Sequence, residues 1–223
     1  MFDLIIFDCD GVLIDSEIIS AQMLIAELAL NGVEIDLDYV ATHFLGRSYP
    51  TVLKQIRTEF GLDLPADFEA RYRERLLAAF EREMKVMPGV TELLDRLALP
   101  WCVATSSSRP RAERSLEIAD LAQRVGPRLY TASQVERGKP APDLFFLAAR
   151  EMGTDPARCL VIEDSLNGIR AGLAAGMTVW RFTGGSHLRG RDLTPPEDAR
   201  PALDFDDFAR FETLWPGSLR TKT

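Results

Sequence analysis

The chain has 223 residues, of which 46% are hydrophobic, and its formal net charge is −8 at pH 7. This length is enough for one sizeable core, or for a core with a smaller accessory domain. An acidic surface repels nucleic acids and anionic membranes, so neither is an expected partner.

The cysteines and the first apolar run bear on the compartment. Cys9, Cys102 and Cys159 are odd in number, lack metal-ligand spacing and lie within apolar runs, which predicts buried, reduced thiols. The apolar run at residues 4–7 ends at Asp8 and is too short for a signal peptide or a membrane span. The sequence therefore predicts a cytoplasmic protein.

Short apolar runs alternate with amphipathic stretches along much of the chain. Most of the runs are rich in Ile, Val, Leu or aromatic residues and lack polar alternation, as in strands covered on both faces. Strands that alternate with helices predict an α/β fold with a doubly wound parallel sheet. The predicted strands are residues 3–7, 100–104, 128–131, 159–162 and 178–182, and the predicted helices are residues 90–97, 109–118, 143–152 and 166–175.

The stretch from about residue 16 to residue 83 interrupts this alternation. Apolar residues recur there at helical spacing, as in Met23, Leu24 and Leu28, and no strand pattern is convincing. A helical insertion after the first strand of a parallel sheet is typical of a cap domain. The predicted domains are a first core segment at residues 1–15, an inserted helical cap at residues 16–86 and the remainder of the core at residues 87–223.

Two carboxylates follow directly on the first predicted strand. Asp8 and Asp10 stand two residues apart, and Gly11 suits a loop whose backbone comes close to a ligand. In open parallel sheets, ligands bind beyond the carboxyl ends of the strands. There one carboxylate can attack phosphorus while the other handles the proton. Acidic residues at strand ends are also common turn formers.

Polar groups also stand at three later points of the same edge. Thr105 and Ser106 follow the second predicted strand, where hydroxyls and backbone N–H groups before a helix can cradle an anion. Lys139 precedes two prolines that fix the chain around it. Glu163 and Asp164 follow the fourth predicted strand and suit a hard cation such as Mg²⁺. Each has an ordinary alternative as a helix cap or a solvated lysine, but together they converge on one edge of one sheet.

These motifs resemble those of the haloacid dehalogenase superfamily, in its branch with a small helical cap after the first strand. The resemblance covers nearly the whole chain, in order. The motifs stand in this chain as FDCDGVLIDSE, VATSSS, GKPAPDLF and VIEDSLNGIRAG.

The resemblance implies a role for each catalytic side chain. Asp8 is expected to be the nucleophile that becomes an aspartyl phosphate. Asp10 is expected to protonate the leaving alcohol and then to activate water. Thr105 and the amide of Ser106 resemble the phosphate clamp, and Lys139 resembles the cation that offsets negative charge on Asp8 and on the phosphoryl oxygens.

The resemblance also implies a Mg²⁺ site. Asp164 is expected to hold the ion, together with the Asp8 carboxylate and the Asp10 carbonyl, and Glu163 is either a further ligand or a supporting partner. Charge counting favours the same cofactor, because Lys139 alone cannot balance four carboxylates and a phosphate ester. Like charges ~4 Å apart repel by about 4 kcal/mol per pair at an effective dielectric near 20.

The expected function is that of a phosphohydrolase acting on small phosphorylated metabolites, as a monomer or weak homodimer. The chain most resembles sugar-phosphate phosphatases, including those described as 6-phosphogluconate phosphatases. Arg47 lies in the predicted cap and is expected to grip a polar or anionic part of the substrate, although a surface arginine is an equal alternative. His187 follows the fifth predicted strand, but the expected mechanism leaves no role for it.

Three alternatives remain open. A sugar phosphomutase similar to beta-phosphoglucomutase would share Asp8 and Asp10, but such mutases typically carry a linker histidine where this chain has Ser20. A haloacid dehalogenase would lack Asp10. A non-catalytic binding protein on the same fold usually loses a motif residue, and none is missing here.

Overall fold

The core is a six-stranded sheet with the strand order β3-β2-β1-β4-β5-β6. The structure is a computed structural model, and it describes residues 2–44, 46–47, 49–62 and 64–220. Every neighbouring pair of strands runs parallel, which confirms the predicted fold class. The strands are β1 (Leu4–Phe7), β2 (Trp101–Thr105), β3 (Leu129–Thr131), β4 (Cys159–Glu163), β5 (Thr178–Phe182) and β6 (Leu203–Phe205).

Helices cover both faces of this sheet, and each face has its own apolar cluster. Ile5 and Phe7 of β1 point into one cluster, whereas Leu4 and Ile6 point into the other. Successive side chains of a strand face opposite sides, so a strand covered twice is apolar throughout. The core helices are α5 (Val90–Arg96), α6 (Arg109–Ile118), α7 (Ala122–Val125), α8 (Asp143–Glu151), α9 (Leu166–Ala174) and α10 (Phe211–Leu214).

A helical cap is inserted between β1 and α5, as the sequence predicts. Its described residues form a separate apolar cluster that includes Leu28, Ile56 and Phe80. The chain leaves and re-enters the core side by side, since the amide of Asp15 donates to the carbonyl of Lys85 at 2.8 Å. The cap helices are α1 (Glu17–Ala29), α2 (Leu37–His43), α3 (Tyr49–Phe60) and α4 (Phe68–Glu83).

Strand β6 is absent from the sequence prediction. It has three residues, of which Phe205 alone is buried, and it follows a segment rich in Pro and Asp. Its place is fixed by tertiary packing, because Phe205 and Phe211 join Trp180 of β5 in an aromatic cluster. A pattern of apolar residues along the chain cannot reveal contacts of this kind.

None of the helices in the described ranges is long and apolar enough to cross a bilayer.

Helix α9 packs closely on the sheet through its small residues. Gly172 is buried, and a Cβ added there would lie 2.6 Å from a methyl group of Val179 in β5. The side of α9 that faces the sheet therefore has no room for a side chain at this position. This close approach brings the first turn of α9 to the sheet edge where β4 ends.

We expect Gly172→Leu to lower the free energy of unfolding by about 1–3 kcal/mol, since overpacking a tight interface costs that much. Urea unfolding measures the change. Ala174→Leu on the exposed face of the same helix is the control and should be nearly neutral. Equal stability of the Gly172→Leu variant and the wild type would contradict the packing argument.

Candidate active site

The sequence-predicted residues meet at the carboxyl edge of the sheet. β1 lies between β2 and β4, so the loops that follow these three strands are neighbours. Asp8, Asp10, Thr105, Lys139 and Asp164 are all buried at the floor of a cavity of about 550 Å³ between core and cap, or directly beneath it. The structure therefore brings together the groups that the sequence places at separate strand ends.

Lys139 lies between two carboxylates. Its Nζ donates to Asp8 Oδ1 at 2.6 Å, to Glu163 Oε1 at 2.7 Å and to the carbonyl of Ala104 at 2.9 Å. Burial alone would lower the pKa of Lys139, but the charges of Asp8 and Glu163 raise it above its usual value. The ammonium group is therefore a permanent cation beside two carboxylates that line the cavity.

The oxygens of Glu163 are both bound by protein donors. Oε1 accepts from Lys139, whereas Oε2 accepts from the amides of Asp164 and Ser165 and from the Ser165 hydroxyl at 2.9–3.0 Å. A Cβ added to Gly168 would lie 1.6 Å from Oε1, so α9 must carry glycine there. Both carboxylate oxygens of Glu163 thus have protein hydrogen-bond donors, and Glu163 also belongs to the acidic cluster described next.

Asp8, Glu163 and Asp164 form a buried acidic cluster with possible ligand atoms within 4.8 Å of one another. Burial raises the pKa of Asp8 well above its usual value. The charge of Lys139 lowers this pKa, and the charges of the other three carboxylates raise it again. Burial and the charge of Glu163 likewise raise the pKa of Asp164. An all-oxygen set with this unbalanced charge fits a hard divalent cation such as Mg²⁺.

Asp10 has a different environment from Asp8. Its Oδ1 accepts from the Ser16 hydroxyl at 2.7 Å and from Arg111 at 3.0 Å, and its Oδ2 accepts from Ser107 at 2.8 Å and from Thr105 at 3.4 Å. Burial alone would raise the pKa of Asp10, but the Arg111 charge and the hydroxyl hydrogen bonds lower it. The pKa values of these two carboxylates are thus shifted in opposite directions, because Asp8 lies among other carboxylates whereas Asp10 lies beside a guanidinium and several hydroxyls.

The predicted phosphate clamp lies at the cavity wall. The Thr105 hydroxyl accepts from the Ser107 amide at 3.1 Å. The Ser106 hydroxyl donates to the carbonyl of Gly46 in the cap at 3.2 Å. Arg47 lines the cavity, but it is exposed, and its guanidinium donates to Gln55 at 2.9 Å. The Thr105–Ser106 turn thus reaches both the carboxylates and the cap.

Arg111 is a site residue that the sequence analysis missed. It lies in the first turn of α6 and donates to Ser20 of α1 at 3.2 Å as well as to Asp10. Its guanidinium also lies over the ring of Phe80 in α4, 5.8 Å from the centroid. The sequence could have indicated Arg111 by its position one turn beyond Ser108, because the first turn of that helix lies at the same edge of the sheet.

Glu17 is a second missed residue that lines the cavity. It is half-buried at the start of α1, and burial together with the charges of Asp10 and Asp164 raises its pKa to about 7. The sequence feature that could have indicated Glu17 is its acidic character directly after Asp15 and Ser16.

Comparison with known proteins agrees with this geometry. The model of the haloacid dehalogenase-like hydrolases matches residues 2–176. The chain belongs to this family. Membership makes the protein a hydrolase and bears out the predicted resemblance.

The relatives of this hydrolase include named phosphatases. The 6-phosphogluconate phosphatase of Escherichia coli (strain K12) is 27% identical over 212 residues, which cover 95% of this chain and 93% of that protein. Hexitol phosphatase A of the same organism is 32% identical over 179 residues, which cover 78% of this chain and 80% of that protein. These names agree with the predicted enzyme class, a phosphoric monoester hydrolase.

A solved structure is similar over the full length. A haloacid dehalogenase family hydrolase from Deinococcus radiodurans R1, solved with bound phosphate and sodium, is 34% identical and superposes with a TM-score of 0.74, covering 99% of each chain. The similarity includes the sheet and the inserted cap.

We expect Arg111→Met to lower kcat for a phosphate ester by about tenfold or more, with a smaller change in KM. A hydrogen bond to a charged group contributes about 1.5–3 kcal/mol, and each 1.4 kcal/mol corresponds to a factor of ten in rate. Steady-state kinetics measures the two constants separately.

Arg111→Lys should recover part of the loss, because it keeps the charge. Arg114→Met, on the same helix but exposed and paired with Glu81 and Glu117, is the control and should behave as the wild type. A change in KM with unaltered kcat would show that Arg111 binds substrate and does not hold Asp10.

Proposed function

We propose that this hydrolase is a Mg²⁺-dependent phosphatase that removes phosphate from small sugar phosphates through an aspartyl phosphate on Asp8. The observation that carries the proposal is the buried Lys139, which pairs with Asp8 and Glu163, two carboxylates that line the cavity. Lys139 holds the Asp8 carboxylate in one orientation, and its charge opposes the burial and the neighbouring carboxylates that raise the pKa of Asp8.

The first step forms a bond between a carboxylate oxygen of Asp8 and phosphorus, and breaks the bond between phosphorus and the leaving oxygen. Lys139 offsets negative charge on Asp8 and on the phosphoryl oxygens, while Thr105 and the Ser106 amide hold the group. Asp8 and Asp164 would hold Mg²⁺, together with the Asp10 carbonyl, and the ion would add neutralising charge at the phosphoryl group.

Asp10 carries the proton in both steps. It gives a proton to the leaving oxygen, so that an alcohol departs, and it then takes a proton from the water that cleaves the aspartyl phosphate. In the free protein Arg111 favours the ionised form of Asp10. The negative charge of an incoming phosphate ester opposes this effect and favours protonation, as the acid role requires.

The proposed substrate class is a polyhydroxylated phosphate ester such as 6-phosphogluconate. Two relatives are named for the phosphates of a sugar acid and of hexitols. The cavity has ample volume for a six-carbon phosphate, and its cap side carries hydrogen-bonding groups in Ser20, Arg47, Glu69 and Arg73. Such groups suit hydroxyls and a carboxylate better than an apolar chain.

A phosphomutase is the second candidate function, and one contact of Arg111 supports it. Ser20 stands where mutases of this superfamily carry a histidine, and it has no charge of its own. Arg111 nevertheless brings a cation to Ser20 and Asp10 together. A cation at that point could delay Asp10 in activating water, as a mutase requires.

We expect release of inorganic phosphate from a panel of sugar phosphates and sugar-acid phosphates, ranked by kcat/KM. EDTA should abolish turnover and added Mg²⁺ should restore it, because Lys139 alone cannot neutralise the acidic cluster and the ester. Phosphate should appear in equal amount to the substrate lost.

A mutase control uses beta-glucose 1-phosphate with a trace of glucose 1,6-bisphosphate. Glucose 6-phosphate formed faster than free phosphate would replace the phosphatase proposal by the mutase. Full turnover in metal-free buffer would refute the Mg²⁺ requirement alone.

A further inference from the structure

His187 is a buried imidazole at the active-site edge to which the proposed mechanism gives no task. It lies in the turn after β5, within the short 3-10 helix Ser186–Leu188, and is 6% exposed. An imidazole carries at least one N–H donor in either protonation state.

The ring faces a carboxylate of the acidic cluster. Its Nε2 lies 2.8 Å from Oδ2 of Asp164. The alignment falls short of a formed hydrogen bond, and within the described ranges neither ring nitrogen nor Asp164 Oδ2 has a hydrogen-bond partner. Unpartnered buried polar atoms are costly, so a pair of them at contact distance points to a bond that forms in another state of the site.

The fold makes a slot for this pair. A Cβ added to Gly11 would lie 2.0 Å from Asp164 Oδ2, and one added to Gly185 would lie 2.6 Å from Cε1 of His187. Gly11 also has φ +81°, which favours glycine. Two glycines from different loops are therefore needed for the imidazole and the carboxylate to meet.

The loop that carries His187 is hydrogen-bonded to the loop that follows β1. The amide and hydroxyl of Ser186 donate to Oδ1 of Asp15 at 3.1 and 2.7 Å, and Arg191 donates to the carbonyl of His187 at 3.0 Å. The backbone of His187 is thus held by hydrogen bonds of the preceding residue, Ser186, and of Arg191. Such bracing is not required for a residue that only fills space.

We propose that His187 is a positioning residue for Asp164: its N–H fixes the Asp164 carboxylate in the orientation that binds a divalent cation. The inference rests on the cation site of the proposed function. Groups that hydrogen-bond a metal-binding side chain orient it, and their loss typically weakens metal affinity by about 10–100-fold. The imidazole is not itself a ligand in this account, since Mg²⁺ prefers oxygen.

Calorimetric titration of the full-length protein with Mg²⁺, and separately with Mn²⁺, tests the inference without relying on turnover. His187→Ala should weaken binding of both ions by about 10–100-fold. His187→Gln should bind more tightly than His187→Ala, because an amide N–H can replace that of the ring and the variant keeps most of the buried volume. His43→Gln, at the other histidine of the chain, is the matched control and should bind as the wild type.

The outcomes separate the inference from the proposed function. A wild type that binds neither ion would overturn both the cation site and the inference. A wild type that binds Mg²⁺ with the same affinity as a folded His187→Gln and a folded His187→Ala variant would overturn the inference alone. A loss confined to Mn²⁺ would also overturn it, because it would make the imidazole a direct nitrogen ligand.

Discussion

The ion pairing of Lys139 at the end of β1 is the interaction on which the rest of the site depends. Lys139 contacts Asp8, Glu163 and the carbonyl of Ala104, and so joins the ends of β1, β4 and β2 in one buried network. Removing the ammonium group would leave the buried carboxylates of Asp8 and Glu163 without their cation, at a cost of about 3–5 kcal/mol. The network therefore joins the ends of three strands, and in the proposed mechanism the same cation also orients the nucleophile.

The acidic residues of the site divide into three environments. Asp8 and Asp164 are buried with too little positive charge nearby, which raises their pKa values and favours a divalent cation. Glu163 is saturated by protein donors and supports Lys139 and the following turn. Asp10 is paired with Arg111 and three hydroxyls. Neighbouring carboxylates of one loop edge can thus act as nucleophile, ligand, support and proton carrier, since hydrogen bonds and charges differ from one to the next.

The sheet, the cap and the principal site residues could be predicted from sequence because each depends on a local pattern. A strand covered on both faces is apolar throughout, and the polar residue that ends it lies at the binding edge whatever the rest of the fold does. Arg111 could not be assigned in this way, since its role follows from the direction of a long side chain across the cap boundary. His187 was noted at the right edge, but its contact with Asp164 depends on two glycines of different loops. β6 is held by aromatic packing that no local pattern records.

Covalent catalysis by Asp8 is the central claim, and trapping the intermediate tests it most directly. Asp10→Asn should slow hydrolysis of the aspartyl phosphate by about 10²-fold or more, because it removes the general base. That variant is mixed with an aryl phosphate carrying a radiolabelled phosphoryl group, because an aryl leaving group departs without a proton from Asp10, and the mixture is quenched in acid and digested. The account predicts label on the peptide that contains Asp8, and none on protein that also carries Asp8→Asn. Labelled phosphate formed in a single turnover, with no labelled protein at any time, would contradict it.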